Sequence, residues 1–277
     1  MERPAFTKMH GLGNDFVILD ARRRGVALGA ERVRAIAHRR TGIGCDQLIV
    51  LREPADSAAD AAFTIHNADG GEVEACGNAA RCVAWMAMEE SGRDTALLET
   101  PAGRLTARRA GPLAVTVDMG EPRFGWRDIP LASAEDTLHL PLSREPLADP
   151  AAVSMGNPHA VFFVDHADSV DLAALGPSLE HDPLFPQRAN IGVAELRGEE
   201  RIRLRVWERG AGLTMACGTG ACAALVAAHR RGLAGRGATM ELDGGPLQIA
   251  WGEDNRVTMT GPVAVSFRGK MDGALLG

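Results

Sequence analysis

Two stretches of this chain carry nearly the same text. Asn67 to Cys82 reads NADGGEVEACGNAARC and Glu208 to Cys222 reads ERGAGLTMACGTGAC; each ends a glycine-rich loop in Ala-Cys-Gly and continues into small apolar residues. Cys76 and Cys217 stand 141 positions apart (217 − 76), as do Asn67 and Glu208 (208 − 67), and Gly13-Asn14 returns as Gly156-Asn157 at 143 (156 − 13). Ile43-Gly44 and Ile191-Gly192 add a looser match at 148 (191 − 43). One Gly-Asn turn is common, but four landmarks in the same order at nearly one spacing indicate an internal duplication. A chain of 277 residues with 45% hydrophobic content can fill the two cores that a duplication requires.

The elements around these loops follow from periodicity. Phe6 to Asp20 reads as a strand broken by the turn Gly11-Leu12-Gly13-Asn14, and Arg32 to Arg40 as a helix stopped by Gly42. Gln47 to Leu51 and Ala61 to His66 read as strands, the second leading to Asn67. Asn78 to Met88 is apolar almost all round, as is Thr219 to Ala228, and helices of that composition are expected to be buried. Leu97 to Val117 reads as hairpins, and the proline-bearing residues 121–150 as a crossover between domains. Strands are expected at Ala160 to Val164, at Ile202 to Val206, and through the tail from Met240 to Phe267, while Arg188 to Val193 follows an irregular proline-containing stretch.

Both Cys76 and Cys217 are thereby predicted at helix N-termini. Unpaired backbone N–H groups and the macrodipole there bind carboxylates and favour a thiolate. Equivalent thiols from two duplicated domains lining one cleft would suit stereoinversion, in which one thiolate takes the α-proton and the other thiol returns one to the opposite face. The N–H groups of Gly77-Asn78 and Gly218-Thr219 could hold the α-carboxylate as enolate-like charge builds. Pyridoxal chemistry is disfavoured because Lys8 and Lys270 are the only lysines.

Composition removes other classes. A net charge of −6 and a pI near 5.8 provide no basic surface for nucleic acid, and no apolar run is long enough to cross a membrane. Met1 to Lys8 lacks an apolar signal core, so a cytoplasmic location is expected. Five cysteines, an odd number, argue for individual thiols; Cys45, Cys82 and Cys222 are read as buried apolar ones. No C-x₂-C or H-x₃-H spacing occurs, so no metal is expected, and GLGN and GIGC do not form a nucleotide-binding fingerprint. A non-enzymatic redox sensor, with Cys76 and Cys217 as a reversible disulfide, stays open at this point.

HGLGNDF, TGIGCDQ, NADGGEVEACGNAARC, GNPHAV, ANIG and ERGAGLTMACGTGAC together resemble the diaminopimelate epimerases over about residues 6–228. The related proline and hydroxyproline racemases, a second reading, carry histidine after Cys-Gly where Asn78 stands here. The resemblance implies a two-base isomerase without cofactor or metal that interconverts LL- and meso-2,6-diaminopimelate in lysine and peptidoglycan biosynthesis. It implies an α/β fold of the α+β kind with two pseudo-symmetric domains, 1–118 plus 263–277 and 119–262. Each would be a mixed β-sheet curled around a central buried helix, with the active site in the cleft between domains. Carried over by motif, Cys76 and Cys217 are the acid/base pair, and His159 and Glu208 modulate thiol pKa. Asn14, Gln47, Asn67, Gly77, Asn78, Asn157, Asn190, Glu208, Arg209, Gly218 and Thr219 contact substrate. A small-molecule substrate, with neither nucleic acid nor membrane, and a homodimer complete the expectation. Met215 departs from the polar or basic residue more usual in the second cysteine loop.

Overall fold

The computed structural model describes residues 3–22, 28–73, 76–198 and 200–275; Glu74 and Ala75, inside the first cysteine loop, lie outside the described residues. The chain divides into two compact units, Met1–Val117 with Gly261–Gly277, and Asp118–Thr260.

In the first unit Ala5–Gly11 (β1) and Asn14–Asp20 (β2) form a hairpin. Leu12 and Gly13 turn it with φ of 56° and 82°, the two left-handed residues that a tight two-residue hairpin needs. There follow helix Ala30–Ala37 (α1), strands Gln47–Arg52 (β3), Ala61–Asn67 (β4) and Glu72–Val73 (β5), helix Gly77–Ser91 (α2), and strands Thr95–Thr100 (β6), Gly103–Gly111 (β7) and Ala114–Asp118 (β8). Ala264–Lys270 (β19) returns to pair antiparallel with β1. From β1 onward the ladder reads β1–β2 antiparallel, β2–β3 parallel, β3–β4 antiparallel, β4–β6 parallel, then β6–β7 and β7–β8 antiparallel.

The second unit opens with a small hairpin, Ser143–Arg144 (β9) and Leu147–Ala148 (β10). Strands Ala151–Ser154 (β11) and Pro158–Phe163 (β12), helix Leu172–Glu180 (α3), strands Asn190–Leu196 (β13), Arg201–Glu208 (β14) and Gly212–Thr214 (β15), helix Gly218–Arg230 (α4), and strands Gly237–Leu242 (β16), Gly245–Trp251 (β17) and Val257–Pro262 (β18) follow. Its ladder repeats the sequence of senses seen from β1 to β8, with β12–β13 and β14–β16 as the parallel pairs. β5 on β4 and β15 on β14 are the matching short antiparallel additions. The duplication read from four landmarks is thus a duplication of strand order and direction.

One landmark is corrected. Gln47 opens β3 and Asn190 opens β13, at the spacing 143 (190 − 47), whereas Ile43-Gly44 precedes β3 and Ile191-Gly192 lies within β13. The looser match at 148 therefore set a turn glycine, Gly44, against a strand glycine, Gly192, and not two equivalent positions.

The sheets also correct the expected fold. Each unit has its mixed sheet and buried helix, but the sheet is not curled around that helix. The first unit's ladder runs from β19 to β8 and the second's from β11 to β18, and among the described residues the end strands of neither ladder pair with each other. The helix is covered by layering. Val17, Leu19, Leu48 and Val50 pack with Val33, Ile36 and Ala37 of α1, which leaves Phe16, Ile18 and Ile49, all buried, on the opposite face. There α2 packs on β1, β4, β6 and β7.

Local chemistry explains the helices. α2 is alanine-rich and stops at Gly92, whose φ of 69° lets its N–H reach the Met88 carbonyl at 3.0 Å. It is not apolar throughout, because Arg81 is fully buried within it and Asn78 nearly so. α4 ends on His229 and Arg230, cations suited to a helix C-terminus. The irregular stretch before Ala189 contains α3, capped by Asp171, whose side chain accepts from Ala174 N at 3.1 Å; Pro177 had masked it. Residues 121–150 are not a bare crossover either, since Ile129, Leu131, Leu140, Leu142 and Leu147 enter the core of the second unit with Phe162 and Ile191. No described helix is long and apolar enough to cross a membrane.

Candidate active site

Strand direction gathers the first set of residues. β2 and β3 run parallel and β4 antiparallel, so the start of β2, the start of β3 and the end of β4 share one sheet edge. Those positions are Asn14, Gln47 and Asn67. Gln47 pairs with Asn67 across the ladder and its Nε2 donates to Asn67 Oδ1 at 3.0 Å, while its own Oε1 is buried without a partner among the described residues.

Cys76 is the N-cap of α2. Its thiol donates to Asn14 Oδ1 at 3.7 Å, and Asn78 Nδ2 donates to the same oxygen at 3.3 Å. The Asn14 amide is oriented from behind, because its Nδ2 donates to Asp46 Oδ2 at 3.2 Å. Asp46 is itself bound by Arg39 at 2.7 Å, and Arg39 also binds Asp15 at 2.7 Å. Burial favours the neutral form of Asp15, but Arg39 and Lys8 outweigh it and hold this carboxyl well below the usual range. Lys8 is thereby committed to Asp15 and to the Gly44 carbonyl.

The second unit builds the same edge from Asn157, Asn190 and Glu208, before β12, at the start of β13 and at the end of β14. Asn190 Oδ1 accepts from Arg209 N at 2.9 Å and its Nδ2 donates to Pro158 O at 2.9 Å. Cys217 caps α4, and its Sγ accepts from Gly220 N at 3.4 Å and lies 3.7 Å from Thr219 Oγ1. Thr219 Oγ1 accepts from Asn157 Nδ2 at 3.3 Å, and Asn157 Oδ1 lies 3.0 Å from His159 Nε2. With the amide placed so, His159 donates through Nε2. His159 is fully enclosed, and burial first, then the charge of Arg209, pushes its pKa down to about 3.

Glu208 closes this arrangement. Thr214 Oγ1 donates to Glu208 Oε1 at 2.5 Å, and burial raises the pKa of the carboxyl against hydrogen bonds from Thr214 and Cys217. Burial likewise raises Cys217 well above a free thiol, with the Glu208 charge adding to it and with Thr219 and the Gly220 N–H only partly opposing. The expectation that a helix N-terminus alone would favour thiolate is thus outweighed at Cys217, since a desolvated thiol beside a carboxylate keeps its proton.

Cys45, Cys82 and Cys222 are buried, and desolvation pushes Cys45 up to about 11 and Cys82 to about 12. Met215 stands half exposed beyond β15. Among the described residues no group of three or more His, Cys, Asp or Glu side chains could hold a metal ion.

A profile of the diaminopimelate epimerases matches residues 6–125 and 151–265. The chain belongs to the diaminopimelate epimerase family. The diaminopimelate epimerase of Rhodospirillum centenum is 57% identical over 271 residues, covering 98% of this chain and 93% of that one. That of Phenylobacterium zucineum is also 57% identical, over 275 residues and 98% of each chain. Among solved structures, a hydroxyproline epimerase from Agrobacterium vitis superposes with a TM-score of 0.70 at 16% identity, covering 100% of this chain and 96% of that one, a likeness of fold.

The family motifs pointed to residues at the strand edges and helix caps, but not to the groups that orient them. Asp46 behind Asn14 and Thr214 behind Glu208 were missed. The only available signal was adjacency, since Asp46 precedes Gln47 and Thr214 lies in the second cysteine loop.

Proposed function

We propose that this chain interconverts LL- and meso-2,6-diaminopimelate without a cofactor, with Cys76 and Cys217 as its two acid/base groups. The observation that carries the reading is the doubled constellation: a cysteine at the cap of a buried helix, served by polar side chains from three strand ends, built once in each unit. Relatives 48–57% identical that bear this activity in their names support the substrate.

The chemistry follows from the groups. One thiolate removes the α-proton and becomes a thiol; the electron pair left on carbon delocalises into the α-carboxylate. The other thiol then delivers its proton to the opposite face and becomes the thiolate, so the two exchange protonation states at each turnover. The N–H groups at the starts of α2 and α4, at Gly77-Asn78 and Gly218-Thr219, stand at the positive ends of the helix dipoles and would stabilise the charge developing on the carboxylate. Glu208, assisted by Thr214, can accept the Cys217 proton when that residue must serve as base. His159 acts through Asn157 and Thr219 to fix the same thiol. Arg209 can bind a substrate carboxylate bidentately, while Asn14, Gln47, Asn67, Asn157 and Asn190 provide amides for the remaining polar groups. The commitment of Lys8 to Asp15 supports a route without a Schiff base.

The five free thiols support a reducing, cytoplasmic setting, and a homodimer is part of the same proposal, to be tested by sedimentation. The decisive assay is isotopic. Reduced protein in D₂O is expected to place deuterium at the α-carbon of diaminopimelate and to leave proline unlabelled. Absence of label from diaminopimelate would reject the reading in favour of a redox role for the thiols.

The Asp46 contact carries a smaller expectation. Asp46→Ala frees the Asn14 amide to rotate, and losing one oriented hydrogen bond of about 1 to 1.5 kcal/mol should lower kcat/KM about 10-fold. Steady-state kinetics on both stereoisomers read this directly; an unchanged value would show that Asn14 is held without Asp46.

A further inference from the structure

We infer that Glu180, on α3 and outside every motif of the site, is a positioning residue for the Glu208-Arg209 turn; the inference rests on the proposed role of that turn. Glu180 is 4% exposed, an unusual state for a carboxylate unless its oxygens are satisfied. Both oxygens are used. Oε2 accepts from Trp207 Nε1 at 2.7 Å and Oε1 from Gly210 N at 3.0 Å, with Arg188 Nη1 3.8 Å from Oε1.

The two donors bracket the two site residues. Trp207 immediately precedes Glu208, and Gly210 immediately follows Arg209. Between them the chain reverses tightly: Ala211 N donates to Glu208 O at 3.0 Å, and Gly210 takes a φ of 74°, a left-handed conformation open to glycine. Such a turn has few ways to hold its own orientation. Glu180 supplies the hold from a separate helix, clamping the indole on one side and the peptide N–H on the other.

Packing reinforces the geometry. Gly176, one turn before Glu180, lies so close to Trp207 that an added Cβ would come within 2.3 Å of the indole ring, so α3 and β14 are in direct contact here. With Trp207 seated and Gly210 tied, Glu208 is directed to Thr214 and Cys217, and the Arg209 side chain is free to turn from its resting contact with Gln187 O at 3.1 Å toward a substrate carboxylate.

Glu180→Gln is nearly isosteric and retains only one acceptor, so its amide NH₂ must face one of the two donors. The expected result is a fall in kcat/KM for diaminopimelate of about 10- to 100-fold, the cost of a displaced catalytic group. A second readout does not depend on the substrate. At pH 8.5 the rate at which iodoacetamide labels Cys217, followed by peptide mapping, should rise at least several-fold as Glu208 moves off the thiol. Cys76, in the other unit, and Cys222, deep in α4, should label at their wild-type rates. Equal labelling of Cys217 in variant and wild type, or a parallel rise at Cys222 from general loosening of α4, would overturn the inference. If Glu180→Gln does not fold, Trp207→Phe removes the indole donor alone; it should give the same selective rise at Cys217 to a smaller extent, and no rise refutes the positioning role. Should wild-type protein fail to label diaminopimelate with deuterium, the proposed function falls while the thiol-labelling arm still decides the role of Glu180.

Discussion

Cys217→Ala is expected to lose epimerisation by about 1,000-fold or more, and Cys76→Ala to lose it to a similar degree, since each removes one partner of the proposed proton relay, a group worth roughly 10²- to 10⁴-fold. The surroundings of the two thiols differ, and that difference provides the control. Cys217 accepts the Gly220 N–H inside the capped end of α4, so its removal also leaves a buried donor unmet and should cost about 1 kcal/mol of stability. Cys76 is only partly buried and donates to Asn14 Oδ1, so its alanine variant should melt closer to wild type. Circular dichroism melts beside the isotope-exchange assay separate loss of chemistry from loss of fold. Full inversion by either folded variant would remove the two-base assignment.

The second large effect is on stability against pH. His159 is enclosed and neutral, with its pKa pushed from 6.5 down to about 3 by burial and by Arg209. The unfolded chain binds a proton at this residue below about pH 6.5, whereas the folded one does not until about pH 3. Its contribution is therefore intact above pH 6.5 and is lost as the pH falls through that window, by about 1.4 kcal/mol per unit once well inside it. Between pH 7 and pH 4 the residue should account for about 3 kcal/mol of acid destabilisation. His159→Asn removes the titration, so urea unfolding at the two pH values should show a shallower acid loss in the variant by that amount. Parallel acid profiles would mean that His159 is protonated within the fold.

Much of the candidate site's local geometry was legible because it is set by neighbouring residues. Ala-Cys-Gly before a run of small residues places a thiol at a helix start, and the caps of α2 and α4 lie at Cys76 and Cys217. The strand-edge amides came through the family's motifs, since each closes or opens a strand and lies beside the turn residues that such motifs preserve. Other readings failed where packing outvoted pattern. Pro177 masked α3, although Asp171 caps that helix, and the prolines of residues 121–150 masked the leucines that fill the second unit's core. Arg81 sat unnoticed in an apolar helix because one charge in a run of alanines hardly alters its periodicity.

The sequence by itself determined that one plan is built twice, which residues cap the two buried helices, and which family the motifs indicate. These are encoded in neighbouring residues and in a repeat spacing that survives in one dimension. Only the tertiary structure decided that each sheet stays open with helices layered on its faces, because strand pairing joins residues far apart in the chain. It alone decided that Cys217 holds its proton against the helix N-terminus, since the desolvation and the Glu208 charge responsible come from elements folded around it. Glu180 is the same kind of case: 28 positions before Glu208 (208 − 180), it reaches the turn only once α3 packs on β14.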